Sequence, residues 1–296
     1  RELYSAYNEL FAEHWKGQTG HDVEVIQSHG GSGKQALEVA NGNEADVVTL
    51  ALEYDVKAIQ DAGLIEDGWI NEFDKDSSPY TSTIVFLVRK GNPKNIKDWG
   101  DLVKDGVGVI TPNPKTSGGA RWNYLAAWAY ADKLYNGDET QIEAFIKKLY
   151  ENVLVLDSGA RGATTSFVEN NQGDVLIAWE NEAFLSVQEN PDEYEIVTPS
   201  ISILAQPSVA VVDEVVDQRG TRDVAAEYLS SDKAQRIAGD NFYRPSNPDI
   251  LNEYADTFDL NINLVTIQDF GGWDEVQKKH FDDGGVFDRI YEKTDK

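Results

Sequence analysis

The sequence predicts an α/β protein divided into two lobes, each a mostly parallel sheet flanked by helices. Strand-like and helix-like segments alternate along most of the chain, and such alternation brings successive strands into one sheet through crossover helices. The 296 residues exceed one ordinary domain of about 100–200 residues. Turn-rich stretches at Ser77-Ser78-Pro79 and at 199–207 are the best places for the chain to pass between lobes. Two crossings there give a discontinuous lobe of residues 1–80 plus 202–296 and a continuous lobe of residues 81–201.

Residues 2–16 place Leu3, Tyr7, Leu10 and Phe11 at helical spacing, with Trp15 closing the stripe. The chain therefore opens inside an amphipathic helix, and a strand is expected before it. Residues 22–27 alternate as a strand, 32–41 form a helix stopped at Gly42, and 45–52 form a buried strand. Further strands are expected at 83–88, 107–110, 153–156, 175–179, 194–197 and 208–212. Helices are expected at 120–135, 142–150, 164–170, 223–229, 233–239, 273–281 and 286–292. Internal repeats and low-complexity linkers are absent from the sequence.

Composition excludes several function classes. Asp and Glu number 52 against 26 Lys and Arg, a net charge of -26, which argues against nucleic acid and anionic membrane surfaces as partners. With 41% hydrophobic and 10% aromatic residues the chain has enough apolar surface for a core, so its acidity reads as a solvated surface rather than disorder. The absence of cysteine removes disulfides, thiol catalysis and Cys-ligated metal. The strongest apolar run, residues 124–131, falls far short of the roughly 20 residues that span a bilayer. The chain reads as soluble and, having no methionine at position 1, as processed from a longer precursor.

One feature recurs three times: a strand ends, a Ser-Gly step follows, and a helix begins. The steps are Ser32-Gly33, Ser117-Gly118 and Ser158-Gly159. A helix N-terminus leaves up to four backbone N–H groups without intrahelical partners and carries about half a positive charge. Small residues let an anion approach those donors, and a serine hydroxyl adds another. Plain capping is the competing account, because serine is a preferred N-cap and Ser32 through Gln35 fits the Ser-x-x-Gln capping box. Ligands of open α/β sheets nevertheless gather at the carboxyl ends of strands, where all three steps fall.

Other chemistries fit less well. Residues 28–35 approach a phosphate-binding P-loop, but Ser28 stands where glycine is required and Gln35 where the magnesium-binding hydroxyl belongs. The four histidines, His14, His21, His29 and His280, are scattered, and no Gly-x-Ser-x-Gly elbow surrounds a serine. Metal ligands are not clustered, so neither a metal nor a cofactor is expected. Trp179 ends one strand before Glu180-Asn181-Glu182; it is either a core tryptophan or one whose indole N–H is a further donor to a ligand.

At these residues the chain resembles the periplasmic sulfate-binding proteins of ABC transporters. The stretches that carry the resemblance are residues 27–35, 79–83, 111–122 (TPNPKTSGGARW), 157–162 (DSGARG), 174–182 (DVLIAWENE), 241–245 (NFYRP) and 270–273, spread over nearly the whole sequence. In that family the first strand ends in an aspartate just before Arg-Glu-Leu-Tyr, and no residue of this sequence carries that position.

The resemblance implies a two-lobed periplasmic-binding-protein fold that closes a cleft on a dehydrated sulfate ion and hands it to the membrane permease and ATPase subunits of an importer. It implies a periplasmic location after signal-peptide removal, a monomer, and no catalysis. Carried over position by position, the contacts fall on Ser32 of one lobe and on Ser117, Gly118, Gly119, Ala160 and Trp179 of the other, with Gly33, Arg121 and Arg161 supporting. Thiosulfate, molybdate or tungstate in the same cradle is the alternative ligand. A sulfate- or phosphate-ester hydrolase, or a surface protein retaining the fold without binding, is the alternative class. A cradle made only of donors rejects phosphate, which keeps a proton at neutral pH and needs an acceptor for it.

Overall fold

The computed structural model describes residues 1–219 and 224–292. In chain order the elements are α1 (Glu2–Thr19), α2 (Ser32–Ala40), β1 (Val47–Leu50), α3 (Glu53–Asp61), the single turn α4 (Asp74–Ser77), β2 (Tyr80–Thr81), β3 (Ile84–Arg89), β4 (Val109–Pro112), α5 (Gly118–Leu134), α6 (Glu139–Glu151), β5 (Val153–Asp157), α7 (Ala160–Val168), β6 (Val175–Trp179), α8 (Glu180–Glu189), β7 (Tyr194–Val197), β8 (Ile201–Ile203) and β9 (Ser208–Val211). Beyond Asp213 the described residues are mainly helical, with two short strands, β10 (Arg244–Pro245) and β11 (Asn263–Val265). The helix expected at 223–229 starts on a residue outside the described ones; Val224–Glu227 is helical.

The chain divides into two units, Arg1–Thr81 with Gln206–Leu260 and Ser82–Ala205 with the segment from Asn261 onward. This departs from the expected lobes: residues 202–205 and the segment from 261 belong to the second unit, and the chain crosses three times instead of two. Side chains explain the third crossing. β11 pairs in parallel with β8, Trp273 meets Trp122 edge-on with ring centroids 4.9 Å apart, and Lys115 Nζ donates to Phe281 O and Asp283. These pairings are long-range, so no local turn signal announces them.

In the first unit β1 and β9 pair antiparallel, and their side chains point alternately into two apolar layers. Val48, Leu50 and Ala210 face Ala36 and Val39 of α2 with Val56 and Ile59 of α3. Val209 and Val211 face Tyr7 and Phe11 of α1. Helix α1 forms because Leu3, Tyr7 and Phe11 recur every four residues and bury one stripe, and it stops at Gly20, whose left-handed φ of 74° few other residues accept. The strand expected at 22–27 is absent: the segment is irregular and Ile26 is 87% exposed. Alternating side chains make a strand only where a neighbour completes the ladder, and none of the described residues pairs with it.

The second unit is built on a five-stranded sheet in the order β5-β4-β6-β3-β7. Strand β4 runs parallel to β5 and β6, as crossover helices require. Strand β3 runs antiparallel to β6 and β7, so the sheet is mixed. Parallel β4, β5 and β6 point their carboxyl ends the same way, and α5, α7 and α8 start there. One face is covered by α7 and α8 through Phe167, Ala163 and Ala183 against Leu87, Ile110 and Leu176. Among the described residues no helix is long and apolar enough to cross a membrane.

Candidate functional site

In the second unit the carboxyl ends of β4, β5 and β6 meet around Gly119. Beyond β4, Asn113 folds the loop back on itself: its carbonyl accepts from the Ser117 N–H at 2.8 Å and its Oδ1 from the Lys115 N–H at 2.9 Å. Ser117 then caps α5, its hydroxyl oxygen accepting from the Ala120 N–H at 3.2 Å. The hydroxyl hydrogen is left over by that bond. The N–H groups of Gly118 and Gly119 lie in the first turn of α5, where no carbonyl of the helix can reach them.

Helix α7 begins at Ala160 with Gly159 as its cap and no side-chain capping bond. Ser158, which opens the third Ser-Gly step, is not the cap, and its carbonyl accepts from the Thr116 hydroxyl at 2.9 Å. That bond ties the α5 and α7 junctions together. Trp179 ends β6 and caps α8, and its indole N–H donates to the Gly119 carbonyl at 3.2 Å.

Gly119 shows how closely these parts converge. A Cβ added there would stand 3.3 Å from Trp179 Nε1, 3.6 Å from Ser117 Oγ and 3.7 Å from Ala160 Cβ. Three of the expected contact residues, Ser117, Ala160 and Trp179, therefore converge on a fourth, Gly119, and the fifth, Gly118, precedes it in the first turn of α5.

The two arginines are structural neighbours of this nest. Arg121 donates from Nε to the Pro114 carbonyl at 2.9 Å and from Nη1 to Gln277, and lies 5.1 Å from the Phe281 ring centre. It fastens the β4–α5 loop. Arg161 pairs with Glu182 at 2.9 Å.

Ser32 and Gly33 belong to the first unit, at the start of α2. The expected capping box does not form: Gly31 is the cap, and Gln35 Nε2 reaches Ser28 Oγ at 3.3 Å. Ser32 is the first helical residue, 8% exposed. Its hydroxyl donates to Asp55 Oδ2 at 2.6 Å and accepts from the Ala51 N–H at 3.1 Å. Asp55 thus takes the only hydrogen of that hydroxyl, and what Ser32 has left to offer a ligand is its backbone N–H.

Three residues at or near these sites escaped sequence reasoning. Asp55 stands in the first turn of α3 just after a strand, which marks a capping acid rather than a partner of a serine 23 positions away. Lys115 looks like any surface lysine, yet it holds the loop before Ser117. Asn123 had the one readable signal, a polar residue inside the apolar run of α5, four residues from Gly119.

The fold shares its architecture with solved binding proteins, and among them the sulfate-binding protein SubI from Mycobacterium tuberculosis H37Rv superposes with a TM-score of 0.82 at 32% identity, covering 93% of this chain and 95% of that one. The family model for bacterial extracellular solute-binding proteins matches residues 1–244. The chain belongs to that family. Among its relatives, the sulfate-binding protein of Escherichia coli K12 is 59% identical over 98% of this chain and 89% of its own length. The thiosulfate-binding protein of Pseudomonas aeruginosa is 48% identical over 98% and 89%.

Proposed function

We propose that this chain is an extracytoplasmic binding protein that captures sulfate and delivers it to an ABC importer, acting as a monomer and without catalysing a reaction. The observation that carries the reading is the nest around Gly119, on which the Ser117 hydroxyl and the Trp179 indole N–H converge. The high identity to sulfate-binding relatives supports the same ligand.

In this reading sulfate takes the Ser117 hydroxyl hydrogen and the N–H groups of Gly118, Gly119 and Ala160. It also draws the Trp179 indole N–H away from the Gly119 carbonyl, a bond already long at 3.2 Å. On the first unit Ser32, the expected contact there, has its backbone N–H to offer, with Gly33 leaving that helix end uncrowded. Hydrogen bonds to a charged group contribute about 1.5–3 kcal/mol each, and helix termini about 0.3–1 kcal/mol. Five such contacts span about 7.5–15 kcal/mol, enough to reach the roughly 8 kcal/mol of micromolar binding, and desolvation absorbs the surplus.

The test is calorimetric titration at neutral pH with sulfate and with phosphate. Heat of binding for sulfate and none for phosphate is expected; comparable phosphate binding overturns the donor-only account. Thiosulfate is the second reading, favoured by the thiosulfate-binding relatives, and a competition titration ranks the two ligands.

A further inference from the structure

The second unit has a small recess that shares Ala160 and Trp179 with the nest and is further lined by Asn123, Thr164, Glu182 and apolar residues of β6, with room for about one water molecule. Asn123 follows Gly119 by four residues on α5, so it lies on the same face one turn deeper. It is 2% exposed. Its amide Nδ2 donates to Thr111 Oγ1 at 3.1 Å and to the Ile177 carbonyl at 3.2 Å, while its Oδ1 is buried with no hydrogen-bond partner among the described residues. Turning the amide over would set Oδ1 against the Ile177 carbonyl, two acceptors facing each other, so the backbone of β6 fixes the orientation.

Two further side chains of the recess offer acceptors, while the Trp179 indole N–H that also lines it donates to the Gly119 carbonyl. Thr164 gives its hydroxyl hydrogen to the Ala160 carbonyl at 3.2 Å, leaving oxygen lone pairs, and Glu182 is the carboxylate paired with Arg161. A buried acceptor without a donor is costly. The occupant that fits must be small and must bring hydrogens.

We propose that the recess is a water site, in which one water donates to Asn123 Oδ1 and to Thr164 Oγ1. Such a water links α5 to α7, whichever ligand the chain binds.

A high-resolution crystal structure of the whole chain, free of ligand, should show density for one water within hydrogen-bonding distance of Asn123 Oδ1 and Thr164 Oγ1. An empty recess, or an amide refined the other way round, overturns the proposal. Thr164→Val removes one acceptor at nearly constant shape, and the water is expected to vanish or lose most of its occupancy with the fold unchanged; full occupancy in that variant overturns the two-acceptor arrangement.

Discussion

Gly119 is the residue on which the nest turns, because Trp179, Ser117 and Ala160 converge on the place of its missing side chain. On the proposed function, Gly119→Ala is expected to weaken sulfate binding at least tenfold, since its methyl would stand 3.3 Å from Trp179 Nε1 and 3.6 Å from Ser117 Oγ, among the groups proposed to hold the anion. The same change favours helix α5 by about 1 kcal/mol in propensity, so a thermal melt no lower than that of the parent, alongside a titration showing the lost affinity, separates steric filling from misfolding. Ser32 gives the opposite pattern. Its hydroxyl is committed to Asp55 and to the Ala51 N–H, so Ser32→Ala removes both hydrogen bonds, one of them to the buried Asp55, and is expected to cost about 1–3 kcal/mol of stability in urea unfolding. A variant as stable as the parent would show that these bonds carry nothing.

At the scale of elements, the donors are only as well placed as the turns that hold them. The β4–α5 loop is fastened by Lys115, whose ammonium donates to the Phe281 carbonyl, Asp283 and Asp288. Burial pulls its pKa down, but the bonds to the two aspartates outweigh that and raise it above the ordinary lysine value. The lysine side chain is 25% exposed and Asp288 21%, so screening keeps the net worth of the pair to about 1 kcal/mol. Lys115→Met is therefore expected to change global stability little and to speed hydrogen exchange at the amides of residues 113–119. Unchanged exchange there would mean that the segment from 277 to 288 does not brace the loop.

For the whole molecule, the net charge of -26 does not forbid an anion ligand. Surface charges are screened within about 8–10 Å at physiological salt, while donors in a small nest act at contact distance. Acid sensitivity follows from another buried group. His280 is 2% exposed, its Nδ1 2.8 Å from the Tyr124 hydroxyl, and burial, with Lys279 alongside, pushes its pKa down to about 3 from 6.5. The unfolded chain takes up this proton near 6.5 and the folded chain does not, so stability present above 6.5 is lost as pH falls toward 3, by about 1.4 kcal/mol per pH unit. His280→Gln removes that slope. The stability difference between parent and variant in urea should shift by about 2 kcal/mol between neutral pH and about pH 5, and an unshifted difference would place His280 outside the acid response.

The sequence by itself determined the alternating α/β layers, the strand ends that carry the candidate donors, and the family. These are legible because helix and strand periods, Ser-Gly steps and a terminal tryptophan are local patterns that a residue and its near neighbours settle. Only the tertiary structure decided that Ser158 is not the cap of α7, that Ser32 spends its hydroxyl on Asp55, that residues 22–27 stay irregular, and that the segment from Asn261 joins the second unit. Each of those outcomes depends on a partner distant in sequence, or on the lack of a ladder neighbour, because a hydrogen bond or an apolar face is satisfied by whatever the fold brings beside it.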